Sequence, residues 1–181
     1  MNDDGYNDLL FSAASYDNNV GKTYLIFGKQ TGWSNGVISS RANVSFIGEY
    51  DGDESGFSVA WAGDVNDDGF DDFLIGARRN NESSYHAGQT YLFFGKITNT
   101  WLLGVSCTEA DASFIGEDAE DLSGISVAGE GDVNRDSFDD ILIGASLNDE
   151  GGENAGKVYL IGVPVSNPPF LLPFLLSPEK E

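Results

Sequence analysis

Oxygen-bearing side chains alternate along residues 64–72 of this 181-residue chain. Taking Asp64 as position 1, they fall at positions 1, 3, 5 and 9, and a glycine occupies position 6, where the loop must turn sharply. Alternate residues of a tight loop can point to one centre, and position 7 can add its backbone carbonyl. Ca²⁺ prefers several hard oxygen ligands placed in this way. The predicted calcium ligands are Asp64, Asn66, Asp68, the Phe70 carbonyl and Asp72.

The same loop recurs at 132–140 and, lacking its first residue, at 2–8. Asn2, Asn66 and Asn134 hold equivalent places in the three copies and are 64 and 68 residues apart. The second copy predicts a calcium site formed by Asp132, Asn134, Asp136, the Phe138 carbonyl and Asp140. The shortened copy predicts one formed by Asn2, Asp4, the Tyr6 carbonyl and Asp8.

Two differences between the copies predict a ranking of calcium affinity. Ser137 stands where the loop at 64–72 has Gly69. We expect positive φ at this position, which costs a residue other than glycine about 1 kcal/mol. The loop at 64–72 should therefore bind most tightly and the loop at 132–140 less tightly. The loop at 2–8 should bind most weakly, because its first ligand is absent.

Other segments repeat in step with the loops. Residues 88–96 repeat 21–29, and residues 123–128 repeat 55–60. A fixed period of this kind indicates a repeat architecture.

The elements that position the loops are short apolar runs ended by glycine or polar turns, which favour strands over helices. Each full period has four such runs, with the acidic loop between the first and second. A four-stranded antiparallel unit repeated in this way is typical of a β-propeller blade. The predicted strands are Leu9–Ala14, Thr23–Phe27, Val44–Ile47, Phe57–Ala62, Phe73–Ala77, Thr90–Phe94, Ala112–Ile115, Ile125–Ala128, Ile141–Ala145 and Val158–Ile161.

The fold class is therefore all-β, a partial β-propeller with calcium-binding hairpin loops. Residues 1–163 form the propeller segment, with blades at about 1–50, 51–118 and 119–163. The first blade lacks its first strand and the third lacks a clear fourth strand. All five prolines lie in the tail, 164–181. We expect that tail to be unstructured rather than to replace the missing outer strand.

Composition excludes several classes of function. A net charge of −21 argues against nucleic acid or an anionic membrane as partner. Cys107 and His86 are the only residues of their kinds, so a disulfide within the chain is impossible and nucleophilic or zinc chemistry has little support. The apolar run at 170–176 is too short to span a bilayer. We expect a protein that is not an enzyme and has no membrane span.

Two further features allow rival interpretations. The acidic stretches Glu49–Glu54 and Glu117–Asp121 recur, and solvated loops are favoured over a second cation or ligand site. An EF-hand or a dockerin-like module would need an acidic ligand at position 12 of the loop, where this chain has Ile75 and Ile143.

The combined motifs resemble the FG-GAP repeat of the integrin α-chain N-terminal β-propeller. They are Ser-Gly-Phe-Ser-Val-Ala, Asp-x-Asn-x-Asp-Gly-x-x-Asp, Leu-Ile-Gly-Ala and Gly-x-x-Tyr-Leu-x-x-Gly. The resemblance implies a seven-bladed propeller with Ca²⁺ in the loop between the first two strands of several blades. The chain departs from it where Arg78 and Ser146 replace a frequent proline, and where Ser12 replaces glycine.

This resemblance implies a calcium-binding module for extracellular adhesion or ligand binding, at the cell surface or outside the cell. The expected partner is a protein or glycan ligand. One alternative is an accessory, carbohydrate-binding domain of a secreted enzyme. Another is a lectin in which Trp33 and Trp101 stack on sugar rings.

Met1 falls inside the first acidic loop, so we interpret the chain as a piece of a longer protein. Incomplete blades at both ends should expose apolar faces and unpaired strand edges. We therefore expect the chain to self-associate or to require its parent chain.

Overall fold

A computed structural model describes residues 4–33, 35–36, 38–97, 101, 103–162 and 174–175. Strands dominate these residues, and the ten predicted strands are all present with ends shifted by three residues or fewer. The strands are β1 (Leu9–Ala13), β2 (Lys22–Ile26), β3 (Val44–Ile47), β4 (Ser55–Gly63), β5 (Asp72–Ala77), β6 (Gln89–Phe93), β7 (Leu103–Ser106), β8 (Ala112–Ile115), β9 (Ser123–Gly131), β10 (Asp140–Ala145), β11 (Lys157–Ile161) and β12 (Phe174–Leu175).

Among the described residues, helical structure is confined to single turns. Tyr16–Asn19 forms a helical turn interrupted by positive φ at Asp17 and Asn18, and 3₁₀ turns lie at Ile38–Arg41 and Cys107–Glu109. In the part of the chain that the structure describes, no helix is long and apolar enough to cross a bilayer.

The strands form three sheets that follow the three sequence repeats. The strand orders are β1-β2-β3-β7, β4-β5-β6-β8-β12 and β9-β10-β11. Successive strands within a repeat pair antiparallel. Three small sheets of this order are consistent with partial propeller blades, and we call them the first, second and third blade.

Two edge strands were not predicted. β7 comes from the second repeat but pairs in parallel with β3 at the outer edge of the first blade. β12 pairs in parallel with β8 at the outer edge of the second blade. The sequence does not predict β7 because Gly104, which has φ 77°, interrupts its apolar residues. β12 is the described part of the tail at 164–181, and the rest of that tail, which we expect to be unstructured, lies outside the described residues.

The core consists of two apolar layers between the blades. The side chains of β5 alternate between them, because successive residues of a strand point to opposite faces. Phe73 and Ile75 pack against Phe46 of the first blade, and Leu74 packs against Ile141 and its neighbours in the third. The second blade is therefore buried on both faces.

Aromatic rings fill the layer between the first and second blades. The Phe46 ring centroid lies 5.0 Å from that of Phe73, 4.7 Å from Phe93 and 5.5 Å from Trp101. Trp101 is 8% exposed and Trp33 is 48% exposed. Trp101 thus packs in the core, which makes it unsuitable for stacking on a sugar ring.

Glycines set the closest approach between blades. Gly88 has φ 85°, and a Cβ there would lie 2.1 Å from the Ser123 carbonyl oxygen at the start of the third blade. In the same way, a Cβ at Gly21 would lie 2.0 Å from the Ser55 carbonyl oxygen at the start of the second blade. The Ser123 N–H donates to the Ala87 carbonyl at 2.9 Å, so the blades are joined by backbone hydrogen bonds.

Candidate metal centre

The loop between β4 and β5 folds around its own carboxylates. Asp64 Oδ1 and Oδ2 accept hydrogen bonds from the N–H groups of Asp68 (3.0 Å) and Gly69 (2.8 Å). Asn66 Oδ1 accepts from the Asp68 N–H at 3.0 Å, and Asp68 Oδ1 accepts from the Phe70 N–H at 2.9 Å. The predicted side-chain ligands of this loop are therefore turned toward the inside of one tight turn.

Asp72 closes the loop at the first residue of β5, where it is fully buried. Its carboxylate accepts hydrogen bonds from the Val65 N–H at 3.0 Å and the Gly95 N–H at 2.7 Å. Burial, together with the neighbouring carboxylates of Asp68 and Asp64, raises the pKa of Asp72 to about 7, although these two hydrogen bonds lower it. Desolvation and the neighbouring carboxylates thus disfavour the ionised form of Asp72, and a cation bound beside it would stabilise that form.

The loop between β9 and β10 repeats this geometry almost bond for bond. Asp132 accepts from the N–H groups of Asp136 (3.1 Å) and Ser137 (3.0 Å). Asp140 accepts from the Val133 N–H at 2.8 Å, and Asn134 Nδ2 lies 3.3 Å from Asp140 Oδ1. Phe138, whose backbone carbonyl is a predicted calcium ligand, has a buried side chain.

The backbone at position 6 of these loops is left-handed, as the sequence predicted. Gly69 has φ 86° and Ser137 has φ 80°. The turn is therefore similar in both loops, but at position 6 the loop of the third blade carries a side chain and the loop of the second blade carries none.

The first blade retains part of the arrangement. Asp4 Oδ1 accepts from the Tyr6 N–H at 3.0 Å, and Asp8 Oδ1 accepts from the Gly28 N–H at 2.8 Å. Burial raises the pKa of Asp8. Asn2, the remaining predicted ligand, lies outside the described residues.

The donor set suits calcium, because hard oxygens alternate along each loop and a desolvated carboxylate closes it. Within the described ranges, however, no three or more His, Cys, Asp and Glu side chains are gathered in a metal-binding arrangement. The loop oxygens accept hydrogen bonds from the loop's own N–H groups instead. Calcium binding therefore stays a prediction, with residues whose chemistry fits it.

Asp139, for which the sequence predicts no role, links two loops. Asp139 lies in the loop of the third blade, but its Oδ2 accepts from the Asp64 N–H of the second blade at 3.1 Å. Gly63 permits this contact, since a Cβ there would lie 1.9 Å from the same oxygen. The repeated Asp-Asp pair at 71–72 and 139–140 was the available signal, although only its second member was assigned.

The recurring acidic stretches are not simply solvated loops. Asp53 and Asp121 are buried, and they accept hydrogen bonds from Asn80 Nδ2 at 3.0 Å and Asn148 Nδ2 at 2.7 Å. Burial raises the pKa of Asp53 to about 6, despite bonds from Tyr50 and Asn80. These two aspartates hold the turn that leads into the first strand of a blade, a role that charge alone could not reveal.

Comparison with known proteins agrees with the repeat pattern. The FG-GAP repeat family matches residues 55–93 and 123–161, which run from the first to the third strand of the second and third blades. Integrin alpha-8 of Gallus gallus is 28% identical over 178 residues, covering 87% of this chain and 15% of the relative. Phosphatidylinositol-glycan-specific phospholipase D of Bos taurus is 28% identical over 174 residues, covering 87% of this chain and 19% of the relative.

A shorter match is closer in sequence. Integrin alpha-3 of Mus musculus is 33% identical over 106 residues, covering 58% of this chain and 9% of the relative. The chain thus spans less than a fifth of the length of each of these relatives. The chain carries FG-GAP repeats and is a distant relative of the integrin alpha chains over most of its length.

Proposed function

We propose that this chain is a calcium-stabilised β-propeller module that binds a protein or glycan ligand outside the cell or at its surface. The observation that carries the proposal is the recurrence of one loop geometry around a buried carboxylate, Asp72 in the second blade and Asp140 in the third. The relation to integrin alpha chains supports the location and the binding role.

Calcium would act on structure rather than on a reaction. Bound Ca²⁺ would neutralise carboxylates that otherwise repel one another within one turn. In the second blade, the chain's own residues then fix the first hairpin, because Asp64 and Asp72 already accept hydrogen bonds from three N–H groups of the loop and from the Gly95 N–H after β6. We propose no catalytic role. Burial raises the pKa of the Cys107 thiol to about 12, which makes it a poor nucleophile.

Calorimetric titration with Ca²⁺ tests the metal assignment. Asp68→Ala should lose one equivalent of bound calcium or weaken it at least about tenfold, because a charged ligand is removed. Asp67→Asn removes a charge from the same loop without removing a predicted ligand, so it should bind as the parent does. Equal calcium uptake by Asp68→Ala and the parent would refute the site.

The proposed ranking of the loops is tested by the same titration. The loop at 64–72 should fill first, the loop at 132–140 second and the loop at 2–8 last. Filling in another order would contradict the ranking.

An accessory domain of a secreted enzyme is a second candidate. It is favoured by the similarity to phosphatidylinositol-glycan-specific phospholipase D, which covers as much of this chain as the similarity to integrin alpha-8. A glycan array probed with the calcium-loaded chain separates the two. Specific glycan binding lost on Trp33→Ala would favour the carbohydrate-binding role, since Trp33 is exposed.

We also propose that the chain self-associates or packs against further blades. Val158, Leu160 and Leu142 expose apolar surface on the outward face of the third blade. Light scattering in saturating Ca²⁺ should detect species larger than a monomer at micromolar concentration. Leu160→Lys should reduce them, because a charge on this face opposes its burial. A stable monomer would contradict the proposal.

A further inference from the structure

A cavity of about 290 Å³ opens where the first blade meets the second. Its polar side is formed by Glu49, Glu82 and Gln89, and its other wall includes Cys107, Ala110 and Ile115. The cavity therefore joins carboxylate and amide oxygens to an apolar surface. It is separate from the loops assigned to calcium.

The polar side of this cavity holds acceptors that lack a cationic partner, although the Tyr91 hydroxyl hydrogen-bonds to Glu49. Gln89 is 5% exposed, and its Oε1 has no hydrogen-bond partner within the part of the chain that is described. Neither Glu49 nor Glu82 belongs to an ion pair among those residues. A buried acceptor without a partner has lost its hydrogen bonds to water, so a donor that entered the cavity would be stabilised there.

The third blade shows how the same arrangement is completed. Lys157 begins β11 as Gln89 begins β6. Its Nζ lies 3.1 Å from Glu117 Oε2 and 2.5 Å from Glu150 Oε2. Glu117 follows β8 as Glu49 follows β3, and Glu150 and Glu82 both lie in the loop before the third strand. The third blade thus places an ammonium group between two glutamates, whereas the equivalent position of the second blade carries the uncharged amide of Gln89.

We propose that the cavity lined by Glu49, Glu82 and Gln89 binds an alkyl primary ammonium group, from a lysine side chain of a partner or from a small aliphatic amine. The ammonium group donates to the two carboxylates and to Gln89 Oε1, as the Lys157 ammonium does to Glu117 and Glu150. The alkyl chain lies along the wall that contains Ala110 and Ile115. This wall favours an alkylammonium ion over a bare metal ion, which gains nothing from apolar surface.

The test is a calorimetric titration in which n-butylammonium is added to the 181-residue chain in saturating Ca²⁺. We expect one bound equivalent, and no binding of 1-butanol, which has the same chain without the charge. Glu82→Gln should weaken the affinity about tenfold or more, since a hydrogen bond to a charged group is removed. Glu153→Gln, which removes an exposed carboxylate elsewhere, should bind as the parent does.

Two exchanges between the blades sharpen the test. Gln89→Lys supplies the ammonium group internally, so it should abolish butylammonium binding and raise the melting temperature. Lys157→Gln should create a second butylammonium site between Glu117 and Glu150. Both substitutions place a residue that another blade already has at that position, so the fold should tolerate them.

The source of the ammonium group is distinguished by adding acetyl-Gly-Lys-Gly amide as a second probe. Binding of this peptide at the affinity of butylammonium or more tightly assigns the cavity to a partner's lysine. Binding of butylammonium alone assigns it to a free amine. The proposal is overturned if butanol binds equally well, if Gln89→Lys binds butylammonium with parental affinity, or if Glu82→Gln instead removes one equivalent of bound Ca²⁺.

Discussion

The second and third blades share one sequence pattern but differ in burial. β5 and β6 of the second blade are buried at every residue, whereas exposed residues interrupt β10 and β11 of the third. Leu74 is fully buried and its equivalent Leu142 is 40% exposed, and Leu92 is 1% exposed while Leu160 is 56% exposed. Identical residues at identical strand positions therefore have different surroundings.

The cause is the place of each blade in the stack. The second blade packs against the first on one face and against the third on the other. The third blade has a described neighbour on one face only, so alternate side chains of its strands meet solvent. In a repeat protein, the stability that a residue contributes depends on its neighbouring repeats as much as on its own repeat.

Truncating equivalent leucines should show the largest difference between the blades. Leu92→Ala should lower the free energy of unfolding by about 3 kcal/mol or more, because it leaves a cavity in a closed layer. Leu160→Ala, its matched control, should cost less than about 1 kcal/mol. Chemical denaturation measured for both variants would contradict the comparison if the two costs were equal.

The Asp53–Asn80 pair of the second blade predicts a dependence on pH. Burial, with a smaller contribution from the carboxylates of Glu49 and Glu82, raises the pKa of Asp53 from 3.8 to about 6. Between these values the folded chain binds more protons than the unfolded chain, so stability falls as pH rises from about 4 to 6. The total is about 3 kcal/mol.

Asp53→Asn keeps an acceptor for the Asn80 amide but does not titrate. The difference in free energy of unfolding between this variant and the parent should therefore change by about 3 kcal/mol across that pH range, in favour of the variant at higher pH. Denaturation curves at constant Ca²⁺ measure it. A difference that is constant with pH would contradict the assignment.

Equivalent glycines test the contact between blades. Gly88→Ala and Gly156→Ala should each cost about 1–2 kcal/mol, because both residues have positive φ. Gly88→Ala should cost about 1–3 kcal/mol more, since its Cβ would meet the Ser123 carbonyl oxygen of the third blade. At Gly156 the nearest atom to an added Cβ is the Ser146 oxygen at 3.2 Å. Equal losses in the free energy of unfolding would show that the third blade shifts to accommodate the added Cβ, which would contradict a close contact between the blades.

The smallest expected difference lies in the acidic loops. Ser137→Gly should stabilise the chain by about 1 kcal/mol, because glycine adopts φ near 80° without strain. We also expect the third blade's loop to bind Ca²⁺ more tightly, approaching the loop at 64–72. Thermal unfolding with and without Ca²⁺ measures both effects, and an unchanged or lower stability would refute the backbone explanation.

Much of the fold could be predicted because its signals are local. Strand residues such as Phe73, Leu74 and Ile75 form a short apolar run, and the oxygen spacing from Asp64 to Asp72 identifies the loop that follows β4. β7 was missed because it is stabilised by pairing with β3, more than fifty residues earlier, rather than by its own composition. The link from Asp139 to Asp64 was missed for the same reason.

The sequence by itself determined the repeat, the ten strands that form apolar runs and the turn chemistry of each loop, because these depend on residues close together in the chain. Only the tertiary structure decided which equivalent residues are buried, since that depends on what packs against each blade. It alone also brought Glu49 of one repeat beside Gln89 of the next, at a cavity for which the sequence offered only an acidic stretch. Contacts between repeats are set by how the blades stack, and stacking is not encoded within any one repeat.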